Sequence, residues 1–165
     1  MHVRKLAPHE IALHREIRLR ALSEASEFLG STFAETASQP DYYWEQLTHS
    51  VTEPNGDVMF LAIEDKLVVG SVYGLLNPEK KNDIGHVRGM WVEPVWRSQG
   101  IGRALLQEVF SWAREIGLNY LDLWVPTHSE AASALYIKAG FRKTGNLAPL
   151  PNDAFLQITE MGVQL

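Results

Sequence analysis

Val92-Glu93-Pro94-Val95-Trp96-Arg97-Ser98-Gln99-Gly100-Ile101-Gly102-Arg103 joins two segments of opposite character. Before it, Ile84 to Val92 reads as a strand that Pro94 stops. After it, from Gly100 to Ile116, Leu105, Val109, Trp112 and Ile116 recur at helical spacing, flanked by Leu106, Phe110 and Ala113, which predicts a helix lying on a sheet. Glycines at 100 and 102 let the backbone come close to an anion. The first helical turn offers N–H groups with no intrahelical acceptor at the positive end of the helix dipole. The segment therefore reads as a diphosphate cradle, to which Arg97 and Arg103 add charge-assisted hydrogen bonds. The competing reading is a plain turn before a helix. A dinucleotide fingerprint is excluded by the missing third glycine, and a P-loop by the lack of Gly-Lys-Ser/Thr.

Working outward, Leu118 to Val125 is an apolar strand. Glu130 to Ala139 is a short helix closed by Gly140, and Phe141–Thr144 and Phe155–Val163 are the last strands. Upstream, Val58–Ile63 and Leu67–Leu76 form a hairpin over Glu64-Asp65-Lys66, and the turn-forming stretch Asn77 to Asp83 leads to the Ile84 strand. Val3–Leu6 is a short strand, with Pro8 in the first turn of a helix from about His9 to Leu22. Ser23 to Pro40 is a polar, partly ordered connection, because a structureless loop of that length is improbable in a compact domain. Asp41 caps a helix carrying Tyr43, Trp44 and Leu47. The order β, α, α, β, β, β, α, β, α, β, β predicts a mixed sheet with helices on both faces.

With 165 residues, one domain spanning 1–165 suffices and can bury its own core. Hydrophobic residues at 45% and charged residues at 21% match a globular protein and argue against disorder or coiled coil. No cysteine is present, which excludes disulfides, thiolate metal sites and a cysteine nucleophile; no metal is expected, and a cytoplasmic location is compatible. The first residues lack an apolar h-region and no run is long enough to span a bilayer, so neither secretion nor a membrane anchor is expected. A net charge of −5 disfavours nucleic acid as a partner but allows a local basic pocket.

Two motifs carry a family resemblance. Arg97-x-x-Gly100-x-Gly102 resembles the Arg/Gln-x-x-Gly-x-Gly/Ala signature of the GNAT superfamily of N-acetyltransferases. Ser129 to Phe141 is similar to that family's Asn-x-x-Ala-x-x-Leu-Tyr-x-x-x-Gly-Phe at Ala132, Leu135, Tyr136, Gly140 and Phe141, with Ser129 in place of the leading Asn. The Arg18–Leu22 segment, Trp44, Gly89–Val92 and Glu160-Met161 also match, so the likeness spans nearly the whole chain. The resemblance implies a mostly antiparallel seven-stranded sheet flanked by about four helices, an α+β fold in three layers. It also implies acetyl-coenzyme A as co-substrate, a diphosphate held by Arg97, Ser98, Gln99, Gly100, Ile101, Gly102 and Arg103, and a pantetheine arm held by the backbone of Met90, Trp91 and Val92. Ser129, Ala132 and Tyr136 would complete the cofactor contacts.

Acetyl transfer from a thioester to an amine needs a neutral nucleophile and a protonated leaving sulfur. Tyr136 is the candidate general acid, since a phenol with a pKa near 10 stays protonated at neutral pH; the other reading is a core tyrosine with a satisfied hydroxyl. An alkyl amine with a pKa of about 10.4 needs a base, and His86 is the candidate, against a packing role. His128 and Glu93 are set aside as loop and helix ends, with Thr127 and Glu130 forming a capping box. For the acceptor, Glu24, Glu27, Glu35, Asp41 and Glu45 could attract an ammonium, with Phe28, Phe33 and Trp44 as apolar walls. The other reading is a solvated acidic face over core aromatics. The expected acceptor is a small-molecule or peptide amine, and a homodimer is among the possible states. The rival function is a non-catalytic acyl-CoA-binding sensor.

Overall fold

The computed structural model describes residues 1–29, 31–76, 83–151 and 153–165, with the side chains of 26–29 outside the description. In chain order the elements are β1 (His2–Lys5), α1 (Ile11–Leu29), α2 (Phe33–Ala37), α3 (Asp41–Ser50), β2 (Val58–Glu64), β3 (Leu67–Leu76) and β4 (Ile84–Val92). They continue with α4 (Ile101–Glu115), β5 (Tyr120–Pro126), α5 (Glu130–Lys138), β6 (Arg142–Leu150) and β7 (Asp153–Gln164). The strands form one seven-stranded sheet in the order β1-β2-β3-β4-β5-β7-β6. Every pairing is antiparallel except β4 with β5. This is the mixed, mostly antiparallel α+β sheet that the sequence predicts. Among the described residues there are five α-helices, one more than expected.

Both faces of the central sheet are covered, and β2 shows why its sequence is apolar throughout. Val58, Phe60 and Ala62 join the cluster under α4, whose Leu105, Val109 and Trp112 form the stripe read from the sequence. Met59, Leu61 and Ile63 point the other way, into a cluster with Ile17, Ala21 and Leu22 of α1. Each large aliphatic side chain buried in this way contributes about 1.5–3 kcal/mol. Asp65 and Lys66, both at positive φ (45° and 68°), make the tight turn between β2 and β3.

Four local expectations are corrected. The Ser23–Pro40 connection is largely helical: α1 runs on to Leu29 with a break at Ala25 (φ −142°), and α2 is set by a capping box between Thr32 and Glu35. Asp41 is the first residue of α3 rather than its cap, and its carboxylate takes Arg15 at 3.2 Å. Thr127 makes no capping box, because its hydroxyl donates to the Gln157 carbonyl at 3.1 Å and Ser129 occupies the N-cap. The last hairpin is longer than expected, since β6 is an exposed edge strand without apolar alternation. The predicted turn from Asn77 lies outside the described residues, Asp83 excepted.

Candidate active site

The site originates where two parallel strands part. β4 and β5 pair only at Ile84↔Tyr120, Gly85↔Leu121 and His86↔Asp122. Just beyond, the β3–β4 register steps from Tyr73↔Arg88 to Ser71↔Trp91, so β4 carries an extra residue. Gly89 makes that bulge possible: its φ is +61°, and a Cβ would lie 2.7 Å from the Tyr73 ring. A bulge bends and twists its strand, and here it turns β4 away from β5. Between them opens a cleft of about 770 Å³, lined by Val87 to Val92 on one wall and Trp124, Val125, Ser129, Ala132 and Tyr136 on the other.

The loop after β4 closes one end of this cleft. Pro94–Trp96 forms a 3₁₀ turn, and Ser98 (φ 62°) and Gly100 (φ 85°) then take left-handed conformations that swing the chain into α4. No side chain among the described residues caps α4, and its first backbone bond is Ala104 N–H to the Gly100 carbonyl at 3.0 Å. The amides of Ile101, Gly102 and Arg103 therefore have no intrahelical acceptor, and these residues line the cleft. The two glycines have different physical reasons. At Gly100 a Cβ would meet nothing within 4 Å, so the backbone angle alone requires glycine. At Gly102 a Cβ would stand 3.0 Å from Leu135 Cδ2, so the missing side chain lets α4 and α5 approach.

Arg97 is not the free phosphate arm that the sequence suggests. Its Nη2 donates to Glu24 Oε2 at 2.5 Å and its Nε to the Val92 carbonyl at 2.9 Å, while Glu24 also accepts from Trp91 Nε1 at 3.3 Å. Ser98 and Arg103 line the cleft, but Gln99 does not; its amide donates to the Val95 carbonyl at 3.2 Å and holds the loop.

Tyr136 and His86 reach the cleft from opposite walls. Tyr136 is only 7% exposed, its ring meets Phe141 edge-on at 5.8 Å, and burial pushes its phenol well above the ordinary value. Its hydroxyl makes no hydrogen bond among the described residues, and Tyr136 is one of the residues that line the cleft. His86 sits at the fork of the strands, its Nδ1 2.5 Å from Asp122 Oδ1, with Asp122 1% exposed. Its Nε2 has no partner among the described residues. An ionised Asp122 selects the tautomer with the proton on Nδ1, which leaves Nε2 as an acceptor.

The expected acceptor walls are not brought to this cleft. Trp44 is 1% exposed and packs in the core, Phe33 lies on the surface at the start of α2, and Glu35 is engaged in the cap. None of the three lines the cleft, and the Phe28 side chain lies outside the described residues. Two of the expected acidic residues are ion-paired, Glu24 with Arg97 and Asp41 with Arg15. Asp122 was missed, although a lone carboxylate between Leu121 and Leu123 in an apolar strand is a signal, since such a group is costly to bury without a partner.

The profile of the family described as "Acetyltransferase (GNAT) family" matches residues 19–141, the stretch that contains the bulge, the uncapped helix and Tyr136. This chain belongs to the GNAT acetyltransferase family. Among curated relatives, it is 26% identical over 147 residues to the aminoglycoside N(6')-acetyltransferase type 1 of Stenotrophomonas maltophilia, covering 86% of each chain. The GNAT fold recurs in a Streptococcus pneumoniae acetyltransferase structure with a TM-score of 0.85 at 22% identity, covering 99% of this chain and 98% of that one. It recurs again in yncA, a putative acetyltransferase from Salmonella typhimurium solved with acetyl-CoA, with a TM-score of 0.77 at 19% identity and 100% and 94% coverage.

Proposed function

We propose that residues 1–165 act as one acetyl-CoA-dependent N-acetyltransferase domain, moving an acetyl group to a primary amine by direct attack with no covalent enzyme intermediate. The observation that carries this reading is a convergence: the residues of the uncapped first turn of α4, Tyr136 and His86 all line one cleft. The cleft volume falls within the range of about 300–1,000 Å³ usual for small-molecule sites.

In this reading the amides of Ile101, Gly102 and Arg103, with the Arg103 guanidinium, hold the diphosphate. The open edge of β4 at Met90, Trp91 and Val92 offers backbone groups to an extended arm, as a sheet edge does to an added strand. Acetyl-CoA, when bound, supplies the acyl group as a thioester. His86 Nε2 takes a proton from the incoming ammonium, which at neutral pH is otherwise deprotonated only about once in a few thousand molecules. Asp122 keeps the His86 ring oriented for that transfer. Burial keeps the Tyr136 phenol neutral, so its Oη has a proton to give to the departing sulfur.

The test is thiol release from acetyl-CoA across a panel of amines. Tyr136→Phe should lower kcat by about 10²–10⁴ while leaving the calorimetric Kd for acetyl-CoA unchanged. Full activity in that variant would remove Tyr136 from the chemistry. A rise in Tm with acetyl-CoA but no thiol release on any amine would instead favour the sensor reading.

A further inference from the structure

Arg88 lines the cleft, is exposed, and has neither an ion pair nor a hydrogen bond among the described residues. Other arginines on this side of the sheet are different: Arg15 holds Asp41, Arg20 holds Glu93 and Arg97 holds Glu24. Register fixes where Arg88 points. It stands opposite Tyr73, and His86 opposite Leu75; both partners pack in the cluster beneath α1. Directly opposed residues of an antiparallel pair share a face, so His86 and Arg88 project on the same side of β4, about 7 Å apart along the strand. That side is the one on which Asp122 meets His86.

The charge balance of this wall points to an anion. Glu24 is the one carboxylate among the described lining residues, and it is engaged by Arg97 and Trp91. Arg18 leans on the bulge from α1, its Nη1 3.6 Å from where a Gly89 Cβ would sit, and the charge of Arg88 acts against its own. An anion at Arg88 would relieve that repulsion. Arg88 is separated from the α4 amides by the bulge and belongs to the His86 side of the cleft, so the anion in question is not the diphosphate.

We propose that the acceptor is an amine that also carries a carboxylate, with the nitrogen at His86 Nε2 and the carboxylate bound by the Arg88 guanidinium. This rests on the N-acetyltransferase reading above and narrows its substrate class. A guanidinium fork binds a carboxylate through two parallel N–H···O bonds, which fixes orientation as well as charge. Polycationic amines are disfavoured in the same cleft, since its one available charge on this wall is positive.

The experiment compares kcat/KM for amino acids, their amides and their decarboxylated amines, in the wild type and in Arg88→Gln. Taking the ratio between the two proteins cancels the intrinsic basicity of each amine. The wild type should favour the acids, and Arg88→Gln should lose about ten- to a hundredfold on the acids alone, mainly in KM. Its acetyl-CoA Kd should not change, and Arg88→Lys should recover part of the loss. Equal losses on all three classes, no loss, or a weakened acetyl-CoA Kd would each overturn the assignment. Brisk turnover of amines without a carboxylate and none of the acids would sink this inference and leave the transferase intact. Acetyl-CoA binding with no turnover of any panel member would remove the transferase reading and this one with it.

Discussion

At Gly100 and Gly102 the same residue type answers two separate constraints, and substitution can tell them apart. Alanine at position 100 must adopt φ near +85°, a left-handed conformation that costs an L-residue roughly 1–2 kcal/mol, in a place with room for its methyl group. The loop will relax away from the conformation that presents the α4 amides. Valine at position 102 instead drives its methyls into Leu135, the neighbour of Tyr136 on α5. Gly100→Ala should therefore weaken acetyl-CoA binding with kcat retained at saturation. Gly102→Val should lower kcat and cost about 1–3 kcal/mol of stability through overpacking. Calorimetry, steady-state kinetics and urea melts separate the two patterns; identical phenotypes would mean that both glycines serve the anion.

Between elements, α1 and the loop after β4 are tied by two ion pairs, Arg20–Glu93 and Glu24–Arg97, with Arg20 also stacked over Trp91 at 5.4 Å. Glu24 thus competes with any diphosphate for Arg97. The pair is partly exposed and worth at most about 1 kcal/mol after screening, so Glu24→Gln should tighten acetyl-CoA binding by no more than about fivefold, and less at high salt. A weaker Kd in that variant would show that Glu24 positions Arg97 rather than withholding it. This clasp was invisible in the sequence because its partners lie 73 residues apart. What the sequence did disclose depends on local period and punctuation. The β2–β3 hairpin and the stripe of α4 follow from apolar spacing, and the uncapped start of α4 from Gly100 before a helix. The Ser23–Pro40 helices were hidden because short polar segments lack a stripe, and the β6–β7 hairpin because an exposed edge needs no alternation. The separation of Trp44 from the cleft depends on how α3 packs on α1, which no single segment encodes.

Across the whole molecule, the layer formed by α1 and α3 packs on the sheet through apolar side chains and is also hydrogen-bonded to it through a fully buried residue, His14 of α1. Its Nδ1 bonds Thr48 Oγ1 of α3 at 2.9 Å and its Nε2 bonds Tyr73 Oη of β3 at 2.7 Å, so three elements meet on one imidazole. Burial, aided by the Arg18 charge, depresses its pKa from 6.5 to about 4. In the unfolded chain His14 takes up a proton near pH 6.5, whereas the folded protein refuses it until about pH 4. Stability from this residue is therefore complete above pH 6.5 and is lost as pH falls toward 4, by an amount on the order of 3 kcal/mol. Urea unfolding of the wild type at pH 7 and pH 4 should show that loss. His14→Gln, which keeps an amide donor and acceptor for Thr48 and Tyr73, should be less stable at pH 7 yet fall less steeply on acidification. Parallel pH profiles for the two proteins would mean that other groups set the acid limit of the fold, because only the wild type carries a buried imidazole that the unfolded chain can protonate.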